Sequence, residues 1–104
     1  MSICSIITLG KEVIIMAGCK IITYDLISTG KDYSGLISAI KKYSNLAKIT
    51  ESCWVIKSND SAIEIRDNLI SYIDSNDKLF VATLTGEGAW TRTIPETQWL
   101  KNNL

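Results

Sequence analysis

Two short apolar segments in the middle of the chain, LAKIT at 46–50 and SCWVIKS at 52–58, constrain the fold more than any other feature. Both contain the β-branched and aromatic residues that favour strands. Because little more than Glu51 separates them, they can pair only as an antiparallel hairpin. The chain must therefore build a sheet around this hairpin.

Each side of the hairpin is predicted to carry one further strand and one helix. KIITYDL at 20–26 and KLFVATL at 78–84 have strand-forming composition, and apolar residues at helical spacing lie next to each. The first helix is predicted from about Asp32 to Tyr43, and the second begins at a capping box formed by Ser61 and Glu64. The hairpin is thus framed by two strand–helix units.

The resulting order is strand, helix, strand, strand, helix, strand, followed by a short C-terminal helix from about Pro95 to Leu100. This order predicts an α+β, ferredoxin-like βαββαβ fold, in which a four-stranded antiparallel sheet carries both helices on one face. The other face is left apolar by Ile21, Cys53 and Val55, with Leu79 and Val81 as further candidates for the same face, so a partner or the chain termini must cover it. We therefore expect a homodimer.

Composition removes several kinds of functional site. The chain of 104 residues has no histidine, three cysteines without CxxC spacing, and 11 acidic against 11 basic residues. We therefore do not expect a zinc site, a disulfide framework, or a Ser–His or Cys–His nucleophile pair. Because the charges balance, we also expect no overall electrostatic field that attracts phosphates. The cysteine usage predicts a protein of the reducing cytoplasm. Because no apolar segment is long enough to span a bilayer, no membrane partner is expected.

The segment at 1–15, MSICSIITLGKEVII, differs from the rest of the chain. It lacks the basic start of a secretion signal, and Lys11 and Glu12 interrupt its apolar run. Met16 is an alternative translation start, because codons for GKEV can form a purine-rich ribosome-binding site just before it. We therefore separate an N-terminal extension at 1–15, whose translation is open, from a domain at 16–104. If translated, SIITL and EVII are predicted to form an extra hairpin on the sheet.

The ordered segments of this domain resemble a known family. They are TYDL at 23–26, GKDYSGLISAIKKY at 30–43, ESCWVIKS at 51–58, IRDNLISYIDSNDKLFVATLTGEGAW at 65–90 and WL at 99–100. Together they resemble the small CRISPR adaptation subunit, the Cas-two superfamily, and most closely its stand-alone SinR-like branch. The resemblance covers residues 16–104 and implies a prokaryotic or phage protein that forms a ferredoxin-like homodimer with its two sheets packed together. For function it implies either a metal-dependent RNase or DNase or a non-catalytic scaffold that holds DNA.

Asp25 is the first candidate site residue, because a carboxylate ends an apolar strand there with no turn residue in between. The resemblance implies that this acid pairs with its twin across the dimer, where Mg²⁺ or Mn²⁺ would activate a water against phosphorus. Tyr24 beside it is the best aromatic candidate for a catalytic or base-stacking role. The residues alone also allow Asp25 to cap the loop LISTGKD through backbone amides, and that alternative stays open.

Lys31, Lys41 and Lys42 are the candidate nucleic-acid-binding residues, as a phosphate-contacting edge of the dimer. The alternative for the two lysines at the helix end is that they only complement the helix dipole and stay solvated. Two functions are therefore carried forward. One is a homodimeric module that binds or scaffolds RNA, DNA or another protein, and the other is a metal-dependent endoribonuclease or endonuclease using paired Asp25.

Overall fold

A computed structural model describes residues 6–9, 12–15, 18–27 and 32–103, with side chains described from residue 18 onward. The described elements are β1 (Ile6–Leu9), β2 (Glu12–Ile15), β3 (Gly18–Asp25), α1 (Ser34–Lys41), β4 (Ser44–Thr50), β5 (Cys53–Ser58), α2 (Ala62–Ile70), β6 (Lys78–Thr83) and α3 (Thr97–Asn103). Their order from β3 onward is the predicted one.

The main sheet has four antiparallel strands in the order β4-β5-β3-β6. The central strand β3 pairs with β5 on one side and with β6 on the other. Helix α1 connects β3 to β4, and α2 connects β5 to β6. Counting only these four strands, the spatial order is second, third, first, fourth, which confirms the ferredoxin-like βαββαβ fold.

The core lies between the two helices and one face of this sheet. Alternate residues of each strand point to this face, as the two-residue period of a strand requires. The fully buried members from the strands and helices are Ile22, Ile56, Leu36, Ile40, Ile65 and Leu69, each 0% exposed. Burial of such side chains contributes roughly 1.5–3 kcal/mol each, so this layer supplies most of the driving force for folding.

The helix starts follow local capping chemistry. At α2, the Ser61 hydroxyl accepts a hydrogen bond from the Glu64 amide at 3.1 Å, and the Glu64 carboxylate accepts one from the Ser61 amide at 3.0 Å. The predicted capping box is therefore confirmed. Helix α1 begins at Ser34 rather than at Asp32, because the Asp32 carboxylate lies before the helix and accepts a hydrogen bond from the Ser34 amide at 2.9 Å.

The second face of the sheet is partly covered by the chain's own C-terminal segment, residues 84–103. Leu100 of α3 is 1% exposed and Val55 beneath it is 4% exposed. The Ile94 amide donates to the Ile49 carbonyl at 3.0 Å, which fixes the segment to β4. Helix α3 begins at Thr97, two residues after Pro95, so the predicted start near the proline was too early.

Outside this domain, β1 and β2 pair as an antiparallel hairpin, as predicted for the extension. They form a separate two-stranded sheet, however, and do not extend the main one. Cys19 is disulfide-bonded, and Cys53 is the free cysteine of the described residues. The odd cysteine count argued against a disulfide framework and did not predict a bridge at Cys19.

None of the helices in 18–27 and 32–103 has both the length and the apolar content needed to cross a lipid bilayer.

Candidate functional site

The C-terminal segment leaves one end of the second sheet face uncovered, and we call this end the open sheet patch. It comprises Thr23 and Asp25 of β3, Cys53 of β5, and Lys78 and Phe80 of β6. Register brings these residues together, because Thr23 pairs with both Cys53 and Phe80 while Asp25 pairs with Lys78. Phe80 is 60% exposed, which is unusual for a phenylalanine at the centre of a strand.

Asp25 is the last residue of β3, and its side chain is exposed. It lines a shallow hollow of about 190 Å³ at the end of the open sheet patch, together with Lys78 and Phe80. Within 18–27 and 32–103, no side chain or amide donates a hydrogen bond to its carboxylate. The carboxylate is therefore available to a ligand, a cation or a second protein.

Among the described residues, the carboxylate that accepts an amide from the residues after β3 is that of Asp77, the residue before β6. The Asp77 carboxylate accepts hydrogen bonds from the Ile27 amide at 2.8 Å and from the Asp74 amide at 2.8 Å. It also accepts the Tyr33 hydroxyl, which lies 2.8 and 2.7 Å from its two oxygens. Asp77 thereby ties the residues after β3, the start of α1 and the turn before β6 to one point.

The neighbour of Asp25 decides what chemistry its carboxylate can support. Lys78 faces it across the β3–β6 ladder and is also exposed. An adjacent ammonium competes with a divalent cation for the same oxygens. In 18–27 and 32–103, no group of three or more histidine, cysteine or acidic side chains is placed to hold a metal ion. A metal at Asp25 would therefore need oxygen ligands from a second copy.

Tyr24 is placed on the opposite side of the sheet from Asp25. It is 8% exposed, belongs to the core beneath the helices, and its hydroxyl accepts a hydrogen bond from the Trp54 indole at 3.0 Å. A buried, hydrogen-bonded ring has no face free for a base to stack on. The structure thus keeps the two neighbouring candidates apart, because successive residues of a strand face opposite ways.

The candidate lysines lie away from the open sheet patch. Lys41 and Lys42 are exposed at the C-terminal end of α1, where they complement the helix dipole. Lys42 lines a polar cleft of about 320 Å³ between the helices, with Asp60 among the other wall residues. Lys31 lies outside the described residues. The lysines that can be placed are therefore on the helical side of the molecule, and Asp25 is on the sheet side.

Cys53 is half-buried within the open sheet patch. Desolvation raises the pKa of its thiol above the ordinary value of 9.0. At neutral pH the sulfur therefore stays protonated, and the interpretation of Cys53 as a small apolar residue rather than a nucleophile agrees with this environment.

A second surface feature, which the residue pattern did not indicate, is a hollow of about 520 Å³ lined by residues 90–97. Trp90 and Arg92 are both in its wall, and Arg92 has a φ of 54°, a left-handed conformation that is uncommon outside glycine. The segment WTRT at 90–93 has the aromatic and basic residues that signal a binding loop. Only the fold shows that they surround one space.

No protein-family model matches this chain, and no solved structure matches it significantly.

Proposed function

We propose that this chain is a Cas-two-like homodimeric module that associates with nucleic acid and acts as a non-catalytic binding or scaffold protein. The observation that carries this proposal is the open sheet patch, where the part of the second sheet face not covered by residues 84–103 presents Phe80 at 60% exposure. A large exposed apolar side chain in the middle of the edge strand β6 is a common feature of surfaces that pair with a partner.

Charge supports a second copy of the same chain as the occupant of the open sheet patch. In a two-fold interface, a residue that contacts another receives the same contact in return. Asp25 and Lys78 lie side by side in each copy, so a two-fold arrangement lets Asp25 of either copy meet Lys78 of the other. Two reciprocal ion pairs would then flank the two Phe80 rings.

The same ion pairs favour a binding module over a nuclease. A carboxylate occupied by Lys78 of the second copy has less capacity to hold Mg²⁺ or Mn²⁺. The nucleic acid, either RNA or DNA, and the prokaryotic or phage origin rest on the family resemblance alone. A cytoplasmic location is also proposed on the sequence, and the disulfide at Cys19 weighs against it, because disulfides persist mainly in oxidising compartments.

A pair of matched variants tests the dimer. Phe80→Asp places a charge in the open sheet patch, and Ile63→Asp makes the same kind of change at a residue of α2 that is 63% exposed, compared with 60% for Phe80. Sedimentation velocity should give a dimer for the wild type and for Ile63→Asp, and a monomer for Phe80→Asp. A monomeric wild type, or a dimer in both variants, would contradict the proposal.

A third variant separates binding from catalysis. Asp25→Ala should retain nucleic-acid binding within about threefold of the wild type in an anisotropy titration, since the scaffold needs no metal at this residue. The ion pair with Lys78 is a surface interaction worth roughly 0–1 kcal/mol, so its loss weakens the dimer only modestly.

The alternative function is a metal-dependent endonuclease, and the observation that favours it is the exposed carboxylate of Asp25, to which no residue within 18–27 and 32–103 donates a hydrogen bond. Two such carboxylates from two copies would hold Mg²⁺ or Mn²⁺, and the metal would activate a water against phosphorus.

The endonuclease alternative predicts cleavage of RNA or DNA by the purified dimer in magnesium, loss of cleavage with a chelator, and loss in Asp25→Asn. Asp67→Asn is the control, because Asp67 is an exposed acid on α2 paired with Arg66 at 2.8 Å. Cleavage that survives Asp25→Asn would contradict paired Asp25 as the metal site and point to a contaminating nuclease.

A further inference from the structure

The hollow of about 520 Å³ is lined by residues 90–97. These residues lie in the segment between β6, which ends at Thr83, and the start of α3. The wall residues include an aromatic, a basic and three hydroxyl-bearing residues: Trp90, Arg92, Thr91, Thr93 and Thr97. We propose that this hollow, the Trp90–Arg92 site, binds one nucleotide of a single-stranded nucleic acid. The base stacks on Trp90, and the phosphate binds Arg92 and the neighbouring hydroxyls. This inference rests on the proposed function, because it locates where the nucleic acid is held.

Trp90 is held in place before any ligand arrives. Besides the hollow, it lines an apolar cavity of about 150 Å³ on the second sheet face, which Ile21, Val55 and Leu100 also line. Its indole nitrogen lies 3.5 Å from the Thr97 hydroxyl, so that contact is at most a weak hydrogen bond. An aromatic ring that is already ordered loses little entropy when a base stacks on it.

Arg92 supplies the charge that a phosphate needs. Its side chain is exposed, and within 18–27 and 32–103 it forms no ion pair, although Glu96 belongs to the same wall. Its φ of 54° places a non-glycine residue in a sparsely populated region, and such conformations cluster at ligand-binding segments. A guanidinium with free donors can bind a phosphate by two parallel hydrogen bonds.

The loop is fixed at its middle and by the helix that follows it. The hydrogen bond from the Ile94 amide to the Ile49 carbonyl, 3.0 Å long, ties its middle to β4. Leu100, which is 1% exposed, anchors the helix that follows. Stacking surface, cation and hydroxyl groups are therefore presented together, as single-stranded nucleic-acid sites require.

The test measures binding of fluorescein-labelled eight-nucleotide oligo(U) and oligo(dT) to the full chain by anisotropy at several salt concentrations. Arg92→Ala should weaken binding about tenfold and reduce the slope of log K against log salt by about 0.7, the contribution of one phosphate contact. Arg66→Ala is the matched control, because it removes an exposed arginine that already pairs with Asp67 on α2. It should leave both quantities close to the wild type.

Trp90→Leu removes the stacking surface but keeps an apolar side chain on the cavity, and should weaken binding roughly 5- to 150-fold. If the leucine variant does not fold, the wild type can be tested directly. An oligonucleotide that contains 5-iodouridine should crosslink to Trp90 of the wild type on irradiation. Crosslinks found only elsewhere would overturn the site.

The outcomes separate this site from the function on which it rests. A wild type that binds neither oligonucleotide overturns both. A second outcome is that the wild type binds while Arg92→Ala and Trp90→Leu bind as tightly as Arg66→Ala. That result overturns the Trp90–Arg92 site and leaves the proposed function standing. A preference for oligo(U) over oligo(dT) or the reverse identifies the nucleic acid.

Discussion

At the residue scale, two aspartates at the same end of the sheet have different environments. Asp25 is exposed, and no described residue donates to its carboxylate. Asp77 accepts hydrogen bonds from two backbone amides and a tyrosine hydroxyl. The Asp77 carboxylate therefore stabilises this end of the fold through intramolecular hydrogen bonds, whereas the Asp25 carboxylate is available for intermolecular contacts.

This difference predicts that removal of the Asp77 side chain lowers stability much more than removal of the Asp25 side chain. Asp77→Ala should lower the free energy of unfolding by about 2–4 kcal/mol, because it leaves the Ile27 and Asp74 amides and the Tyr33 hydroxyl without their acceptor. Asp25→Ala should change it by no more than about 0.5 kcal/mol. Urea denaturation of both variants checks this. Equal losses for the two aspartates would contradict the assignment of roles.

At the element scale, the two main helices begin differently. Helix α2 has a reciprocal capping box from Ser61 and Glu64. The N-cap of α1, Tyr33, makes no side-chain cap hydrogen bond, and the Asp32 carboxylate before it accepts the Ser34 amide. Hydrogen bonds from the Ser34 amide and hydroxyl lower the pKa of the Asp32 carboxyl below its ordinary value of 3.8. The carboxylate form is the one that accepts these hydrogen bonds, so ionisation of Asp32 and formation of the first turn of α1 are linked.

The expected pH dependence follows from the direction of that shift. The pKa of Asp32 is lower in the folded chain than in the unfolded one. The contribution of Asp32 to stability is therefore complete above the unfolded-state pKa and is lost as the pH falls through the folded-state pKa. The Ser34 amide signal in NMR spectra should therefore titrate below pH 3.8. In Asp32→Asn, which keeps an acceptor oxygen but cannot ionise, the titration should disappear. A wild-type signal that does not move would show that the cap does not form.

The C-terminal helix shows how element boundaries depend on packing. Proline is favoured in the first turn of a helix, so the sequence suggested a start near Pro95. The observed start is Thr97, because the backbone at Ile94 is hydrogen-bonded to β4 before the helix begins. A contact distant in sequence therefore overrides the local preference.

At the scale of the whole molecule, the two faces of the sheet are covered in different ways. The helices cover the face that carries Leu79 and Val81, two residues predicted for the other face. Residues 84–103 cover part of that other face, with Leu100 and Cys19 at 1% and 0% exposure. The open sheet patch is the remainder. The extent of a dimer interface is thus limited by how far the chain's own C-terminal segment reaches.

Removal of this cover is predicted to be costly. Leu100→Ala should lower the free energy of unfolding by about 2–5 kcal/mol, since it opens a cavity against the second sheet face. Ile94→Ala, at a residue of the same segment that is 56% exposed, should cost less than about 1 kcal/mol. Thermal or urea unfolding compares them. Similar small losses would mean that the C-terminal segment is not a structural part of the domain.

The candidate site was only partly predictable from the sequence. Asp25 was identified because a carboxylate ending an apolar strand is visible in the residue order, and the structure places it on an exposed surface. Tyr24 was selected for its adjacency to Asp25, but adjacent residues of a strand lie on opposite faces. The Trp90–Arg92 site was missed because its walls come from an irregular segment whose curvature no periodic pattern encodes.

The sequence by itself determined the order of strands and helices, the β4–β5 hairpin, the capping box at Ser61 and the ferredoxin-like arrangement. These features depend on local chemistry and on the chirality of crossovers, which act over a few residues or follow from element order. Tertiary structure alone decided that Asp77 accepts the Ile27 amide, and that residues 84–103 cover part of the second face. Such choices depend on which distant groups meet in space, and the free energies that separate the alternatives arise only from those contacts.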